Sequence, residues 1–462
     1  MGVAVSGWRL ARTVAAAGQL GVVSGVALDT VLARRLQLGD PDGEIRMALS
    51  QLPLPGAAER ITRRYFVPGG IEAGQPFRPV PRLGLRPSAA STELSVAGNF
   101  VEVYLAKHGH SGQVGINYLE KIQLATPAAV YGAMLAGVDY ILMGAGIPVE
   151  IPALLDAVAA GQPGELTVTV SGADAHPRHT VRIEPEALHG GPPPVLARPR
   201  FLAIISSAVL AGYLTRTPAS TPDGFVLEGY RAGGHSAPPR GRMQLDAAHE
   251  PVYGPRDEID VAKVARAGLP YWLAGGQALP GELARAQSAG AAGIQVGTAF
   301  ALCRESGIDP DLRAQLLGQA LAGTLTVRNE PYTSPTGFPF KVAQLAGTLA
   351  DDAVYEGRPR LCDLGYLRVP YQRDDGRLGY RCPAEPLGMY LRKGGAAQDT
   401  AGRRCVCNGL IATIGLAQRR AGGSTEPPIV TLGQDLAFLP HLVAAVGTSF
   451  SAADVIGFLL RP

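Results

Sequence analysis

Cysteine is scarce in this sequence: five in 462 residues, at Cys303, Cys362, Cys382, Cys405 and Cys407. A small, odd number without a secretory leader argues for reduced thiols rather than a disulfide framework. The opening Met1-Gly-Val-Ala-Val-Ser-Gly-Trp-Arg lacks the basic-then-apolar layout of a signal peptide. Long apolar runs are missing as well. No stretch of about 18 uninterrupted apolar residues occurs, and the most apolar region, 125–161, is broken by Asp139, Pro148, Glu150 and Pro152. The expectation is therefore a soluble, cytoplasmic protein with no membrane partner. A charge excess is missing too. The 42 basic residues are nearly matched by 39 acidic ones, and the arginines are scattered rather than gathered into a stripe, so nothing favours a nucleic-acid partner. There is no internal repeat and no low-complexity tract.

What is present is apolar residues, 46% of the chain, enough for a large core. Strand-like runs at 2–6, 20–24, 113–117, 140–143, 201–206, 224–228, 270–274 and 293–296 alternate with helical stretches. Those helices are expected at 8–17, 126–136, 151–160, 208–215, 259–267 and 281–289. Eight strands with crossover helices are the inventory of a (β/α)8 TIM barrel, an α/β fold, with 2–6 as its first strand. A doubly wound open sheet fits the periodicity nearly as well. Two long insertions interrupt the rhythm: 25–112, with a helix expected at 92–107, and 162–200, with strands expected at 166–170 and 180–183 around a polar turn. After about residue 325 the alternation stops. The barrel is accordingly expected over 1–325, and 326–462 as an appended C-terminal region, too apolar for a disordered tail, packing on it.

Three constellations can carry chemistry. Leu273-Ala-Gly-Gly-Gln277 and Ile294-Gln-Val-Gly-Thr-Ala-Phe300 each follow an apolar strand and stop at glycine where a helix can begin. Backbone N–H groups exposed there suit a phosphate, and the loops after strands seven and eight of a barrel often form such a site. Glycines that merely turn the chain would look the same taken singly. In Glu228-Gly-Tyr-Arg-Ala-Gly-Gly-His235, a histidine follows a strand end, and imidazole titrates nearest neutral pH, which suits acid–base work. A lone histidine is more often structural, and only these neighbours favour catalysis. Gly233 and Gly234 would let the chain pass against a flat ring. At the third strand's end Asn117 offers an amide donor and acceptor to a ligand ring. Lys121 reads more simply as an exposed helix lysine.

The run Gly109-His-Ser-Gly-Gln-Val-Gly-Ile-Asn-Tyr-Leu-Glu-Lys through Met143-Gly-Ala-Gly-Ile-Pro, with Ala232-Gly-Gly-His, Leu273-Ala-Gly-Gly and Gln295-Val-Gly-Thr, resembles the nitronate monooxygenase (2-nitropropane dioxygenase) family. Bacterial FMN-dependent enoyl-thioester reductases share that barrel. The resemblance spans roughly 1–305. It implies an FMN enzyme, with the flavin held by Ser6, Gly7 and Asn117. It also implies a phosphate cradled by Gly275, Gly276, Gln295, Gly297 and Thr298, with Gly234 beside the flavin and His235 as acid–base. The implied substrate is a nitronate or related acidic-carbon compound with O2. The alternative is NAD(P)H-dependent reduction of an enoyl thioester. A second copy of the chain or an acyl carrier is the macromolecular partner such chemistry suggests. The chain departs from the family in lacking a Pro-Met pair in its first strand, in the Ser-Ala-Pro-Pro-Arg-Gly after His235, and in its length. These departures bear on the substrate rather than on the fold or flavin.

Two further readings stand beside this one: a flavin-free barrel using the same glycines for another phosphate, and a tail that binds a metal or a partner. Cys362, Cys382, Cys405 and Cys407 are separated by 19, 22 and one intervening residues, unlike the short spacings of zinc sites. Iron–sulfur ligation stays open, but buried thiols acting as small apolar groups are the preferred reading, and no metal is expected. Cys303 reads as packing.

Overall fold

The computed structural model describes residues 2–173, 178–420 and 423–461. Seven strands form one all-parallel sheet in the order β1 (Gly21–Ser24), β2 (Val114–Leu119), β3 (Tyr140–Gly144), β6 (Arg200–Ile205), β7 (Gly224–Glu228), β8 (Tyr271–Ala274) and β9 (Gly293–Gln295). Sequential neighbours joined by crossover helices give an α/β fold whose sheet curls toward a barrel. The strands are near-continuous apolar runs because both faces are covered; all five residues of β3 are buried.

Alternation along each strand sorts side chains into two cores. Ile116, Ile141, Met143, Phe201, Ala203, Phe225 and Leu227 face outward, under the helices. Tyr140, Leu142, Leu202 and Val226 face the inside of the curl, with Trp272 and Val22 packed against them. A period of two therefore turns Asn117, Glu228 and Gln295 inward at the carboxyl ends of β2, β7 and β9. The registers Glu228↔Ala274 and Ala274↔Gln295 set two of these ends in one row, and Ser24↔Asn117 pairs the third with the end of β1.

Segment 2–6, expected as the first strand, is a turn. Ala4 has φ +44°. The Gly2, Val5 and Ser6 carbonyls accept from Ser24 Oγ, Gly307 N–H and Ser24 N–H, so they are spent on loop contacts rather than on a ladder. Seven parallel strands, not eight, are found among the described residues, and no pairing joins β9 to β1.

The first insertion is more helical than expected, with helices Leu28–Gln37, Glu44–Ser50, Ala57–Tyr65 and Ala89–Lys107. The last is capped by Ser88, whose side chain accepts from Ser91 N–H. The second insertion forms the antiparallel pair β4 (Gly164–Thr167) and β5 (Thr180–Ile183); residues 174–177 of its polar turn lie outside the described residues.

The C-terminal region carries two hairpins, β10 (Val327–Glu330) with β11 (Phe340–Ala343), and β12 (Val369–Gln372) with β13 (Leu378–Arg381). Its Phe340, Leu349, Tyr366, Ile411 and Ile429 share one buried cluster with the sheet's outer face. It also grips the first insertion: Tyr366 Oη lies 2.6 Å from Thr30 Oγ1, and Arg34 Nη1 donates to Leu416 O at 2.6 Å. Among the described residues no helix is long and apolar enough to cross a membrane.

Candidate active site

Inside the curl, reaching the carboxyl ends of the strands, lies a cavity of about 470 Å³. Ser6, Asn117, Gly234, Gly275, Gly276, Gln295, Gly297 and Thr298 all line it. A smaller cavity of about 90 Å³ shares Asn117 and Glu228 with it and is lined also by His235, Tyr366 and Cys407. Strand ends are where such a site belongs, since the adjoining loops are free of the ladder. Gly7 does not line either cavity; it precedes helix Trp8–Ala16, where a Cβ would meet Glu102 Oε1 at 3.2 Å. Lys121 pairs with Glu120 at 3.3 Å and is exposed.

Among the described residues, the backbone N–H groups of Gly275, Gly276 and Gly297 have no hydrogen-bond partner. They are donors set around one end of the large cavity, fit for an anion such as a terminal phosphate. Gly275 has φ +86°, and a Cβ there would sit 2.9 Å from Ala232 N, so glycine is required twice over. The Thr298 hydroxyl accepts from Gly433 N–H at 2.8 Å, and the Ser6 hydroxyl donates to Val22 O at 2.6 Å. Both side chains thus shape the wall with their polar atoms already engaged. Asp435 also borders this end; its Oδ1 accepts from Ala437 N–H.

The His235 loop is held from outside the sheet, by β11. Lys341 N–H donates to Gly234 O and Ser236 N–H to Pro339 O, each at 2.9 Å. The Phe340 ring lies 4.6 Å from the imidazole. His235 Nε2 is 2.7 Å from Ser334 Oγ, which in turn is 2.9 Å from Thr336 Oγ1. Burial pushes the imidazole down to about 3, so the ring is neutral at ordinary pH.

Behind the loop the Lys341 ammonium is fully buried and donates to Tyr230 O and Ala232 O. Burial lowers it to about 8 against the opposing pull of Glu228 and Glu250. Burial also raises the Glu228 carboxyl above the usual range, and Lys341 opposes that shift. Gln295 Nε2 donates to Glu228 Oε2 at 3.5 Å.

Sequence reasoning missed Glu228, Ser334, Lys341 and Cys407. Glu228 left a trace, a carboxylate on the inward side of an otherwise apolar strand. Ser334 and Lys341 left none, because they reach the site from a region without periodicity, and Cys407 stood out only as one of four tail cysteines. Cys303 is buried, and its thiol is pushed up to about 12 by that burial and by Glu305, which fits packing rather than reactivity.

Residues 200–332, from β6 through β10, match the family model of nitronate monooxygenase. A nitronate monooxygenase of Paraburkholderia phytofirmans is 33% identical over 123 residues, 27% of this chain and 32% of the relative. The aligned part thus spans about a third of that relative's length. Among solved structures, FabK from Thermotoga maritima is 15% identical with a TM-score of 0.45, covering 98% of this chain and 88% of its own. A nitroalkane oxidase from Streptomyces ansochromogenes is 16% identical with a TM-score of 0.44, covering 99% and 92%.

Proposed function

We propose, from the match of residues 200–332 to the nitronate monooxygenase family, that the chain is an FMN-dependent oxidoreductase of that family acting on a nitronate or related acidic-carbon substrate. The sheet is read as that of a (β/α)8-type barrel over 1–325, with 326–462 appended. The observation that carries the function is the adjacency of two spaces: a large cavity edged by unpartnered backbone donors shares the walls Asn117 and Glu228 with the smaller cavity that His235 lines.

The residues present fit the cofactor. Gly275, Gly276 and Gly297 would hold its phosphate through their N–H groups, and Gln295 and Thr298 complete that wall. Asn117, Gly234 and the first-segment Ser6 would border the ring. FMN, when bound, supplies the capacity to take up electrons from substrate and pass them to O2.

The chain's own share is placement and proton handling. Ser334 holds His235 at Nε2, which leaves Nδ1 as the ring nitrogen that would serve the substrate. A ring so hard to protonate is a weak base toward a neutral nitroalkane. It is better suited to a substrate that arrives already as its anion, because a neighbouring negative charge raises the imidazole pKa back toward the working range. A nitronate is such an anion. The apolar walls of the small cavity, Val3, Ile122, Ile204 and Leu410 among them, exclude water around it.

The test is spectroscopic. The purified protein is expected to be yellow, and an alkyl nitronate added without oxygen is expected to bleach the flavin faster than NAD(P)H does. Bleaching by NAD(P)H alone replaces this reading with an enoyl-thioester reductase. A colourless protein that refuses added FMN removes both.

A further inference from the structure

Four of the five cysteines lie outside the matched segment and outside the roles assigned above, apart from the contribution of Cys407 to a cavity wall. They come from three stretches of the tail. Cys362 lies in the loop before β12, Cys382 directly follows β13, and Cys405 and Cys407 open the helix Val406–Thr413.

Tertiary packing draws these stretches together. The buried Asn408 amide donates from Nδ2 to Asp363 Oδ1 at 2.7 Å and to Cys405 Sγ at 3.6 Å, which ties the neighbour of Cys362 to Cys405. The Asn408 Oδ1 has no partner among the described residues. Leu367, five residues after Cys362, borders the small cavity beside Cys407, and its backbone N–H reaches the Cys407 thiol. Each thiol is near enough for its charge to bear on the others: Cys405 on Cys362, both of these on Cys382, and all three on Cys407. None is in a disulfide.

The surroundings suit a group with negative ligands. Arg82 and Arg368 face Cys362, and the charge of Cys382 bears on Arg403. The carboxylates at hand are engaged: Glu385 by Lys393 Nζ at 2.6 Å and by Cys382 N–H at 3.3 Å, and Asp363 by Asn408 Nδ2 and by Arg420 Nη1 at 3.0 Å. Among the described residues no three such groups are close enough to ligate a single metal ion. Thiols gathered in this way, which burial holds above the ordinary thiol range until a metal takes the proton's place, match ligands around a polynuclear core, where inorganic sulfide fills the space between them.

We propose that Cys362, Cys382, Cys405 and Cys407 hold an iron–sulfur cluster, with Cys407 carrying it to the wall of the cavity that holds His235. The cluster's presence is independent of the flavin reading; its use as a redox centre beside the substrate space rests on that reading. Protein made with ample iron and purified without oxygen is expected to contain iron and acid-labile sulfide in equal amounts and to show an electron paramagnetic signal in one redox state. A Cys405→Ser/Cys407→Ser variant is expected to lose both elements, and Cys303→Ser to keep them. Flavin measured on the same samples separates the two proposals: iron without flavin keeps this one and removes FMN, and flavin without iron does the reverse. Wild-type protein with neither iron nor sulfide after reconstitution with ferrous ion and sulfide overturns the cluster, as does zinc in its place. If the double variant fails to fold, the wild-type content decides.

Discussion

A free histidine gives up its proton near pH 6.5, whereas His235, enclosed beside Ser334 and Phe340, does so only near 3. Between those values the unfolded chain binds a proton that the folded chain refuses. Stability should therefore fall as pH drops from about 6.5 toward 3, and this contribution should be complete above 6.5. Denaturant titrations at a series of pH values check it: in a His235→Asn variant that acid sensitivity should shrink. The same ring, as a base in the free enzyme, should leave kcat/KM without a break near 6.5, and a break there would show that the ring is not the buried one described. Replacing His235 by Ala should lower kcat/KM by about 10²–10⁴-fold with FMN content retained. Gly275→Ala tests the phosphate end. Its φ of +86° and the 2.9 Å approach to Ala232 N allow no Cβ without strain of about 1–3 kcal/mol, so FMN affinity, read by fluorescence titration, should drop. At this scale the strand-end residues were legible, because alternation and glycine spacing are local. Ser334 was not, since nothing in its own neighbourhood marks it as a partner for a ring 99 positions away.

The loop Gly229–Ser236 follows β7, yet its shape is kept by β11, more than a hundred residues later. Two backbone hydrogen bonds, the Phe340 ring and the buried Lys341 ammonium all bear on it. Lys341→Met would leave the Tyr230 and Ala232 carbonyls without that donor, at a cost of about 1–3 kcal/mol each where no water replaces it. Amides of 230–236 should then exchange with solvent faster, while those of β3 stay protected; equal exchange in both forms would show that β11 is no clamp. Most strands were legible from their apolar runs. The exception is instructive: Gly-Val-Ala-Val-Ser at 2–6 has a strand's composition, but its carbonyls are claimed by Ser24 and Gly307, a tertiary competition that composition does not register.

Across the whole molecule, one buried cluster runs from the sheet's outer face through the first insertion into the tail, so sheet and tail should unfold together. Near-ultraviolet circular dichroism and flavin release should give coincident transitions, and two separate ones would mark independent units. Within the tail, Arg358 donates to Glu426 at 2.7 Å with both side chains almost fully buried, and Arg420 joins Glu426 to Asp363. Glu426→Gln would strand a buried guanidinium and should cost about 3–5 kcal/mol, seen as a lowered Tm. The amino-acid order by itself settled the α/β class, the places of seven strands and the glycine and histidine positions around the cavity, because helix and strand periods and chain turns are written in neighbouring residues. Which face of the loop His235 presents, what depresses its proton affinity, and how four distant cysteines meet were decided by the tertiary structure, because burial and long-range hydrogen bonds exist only once remote segments are brought into contact.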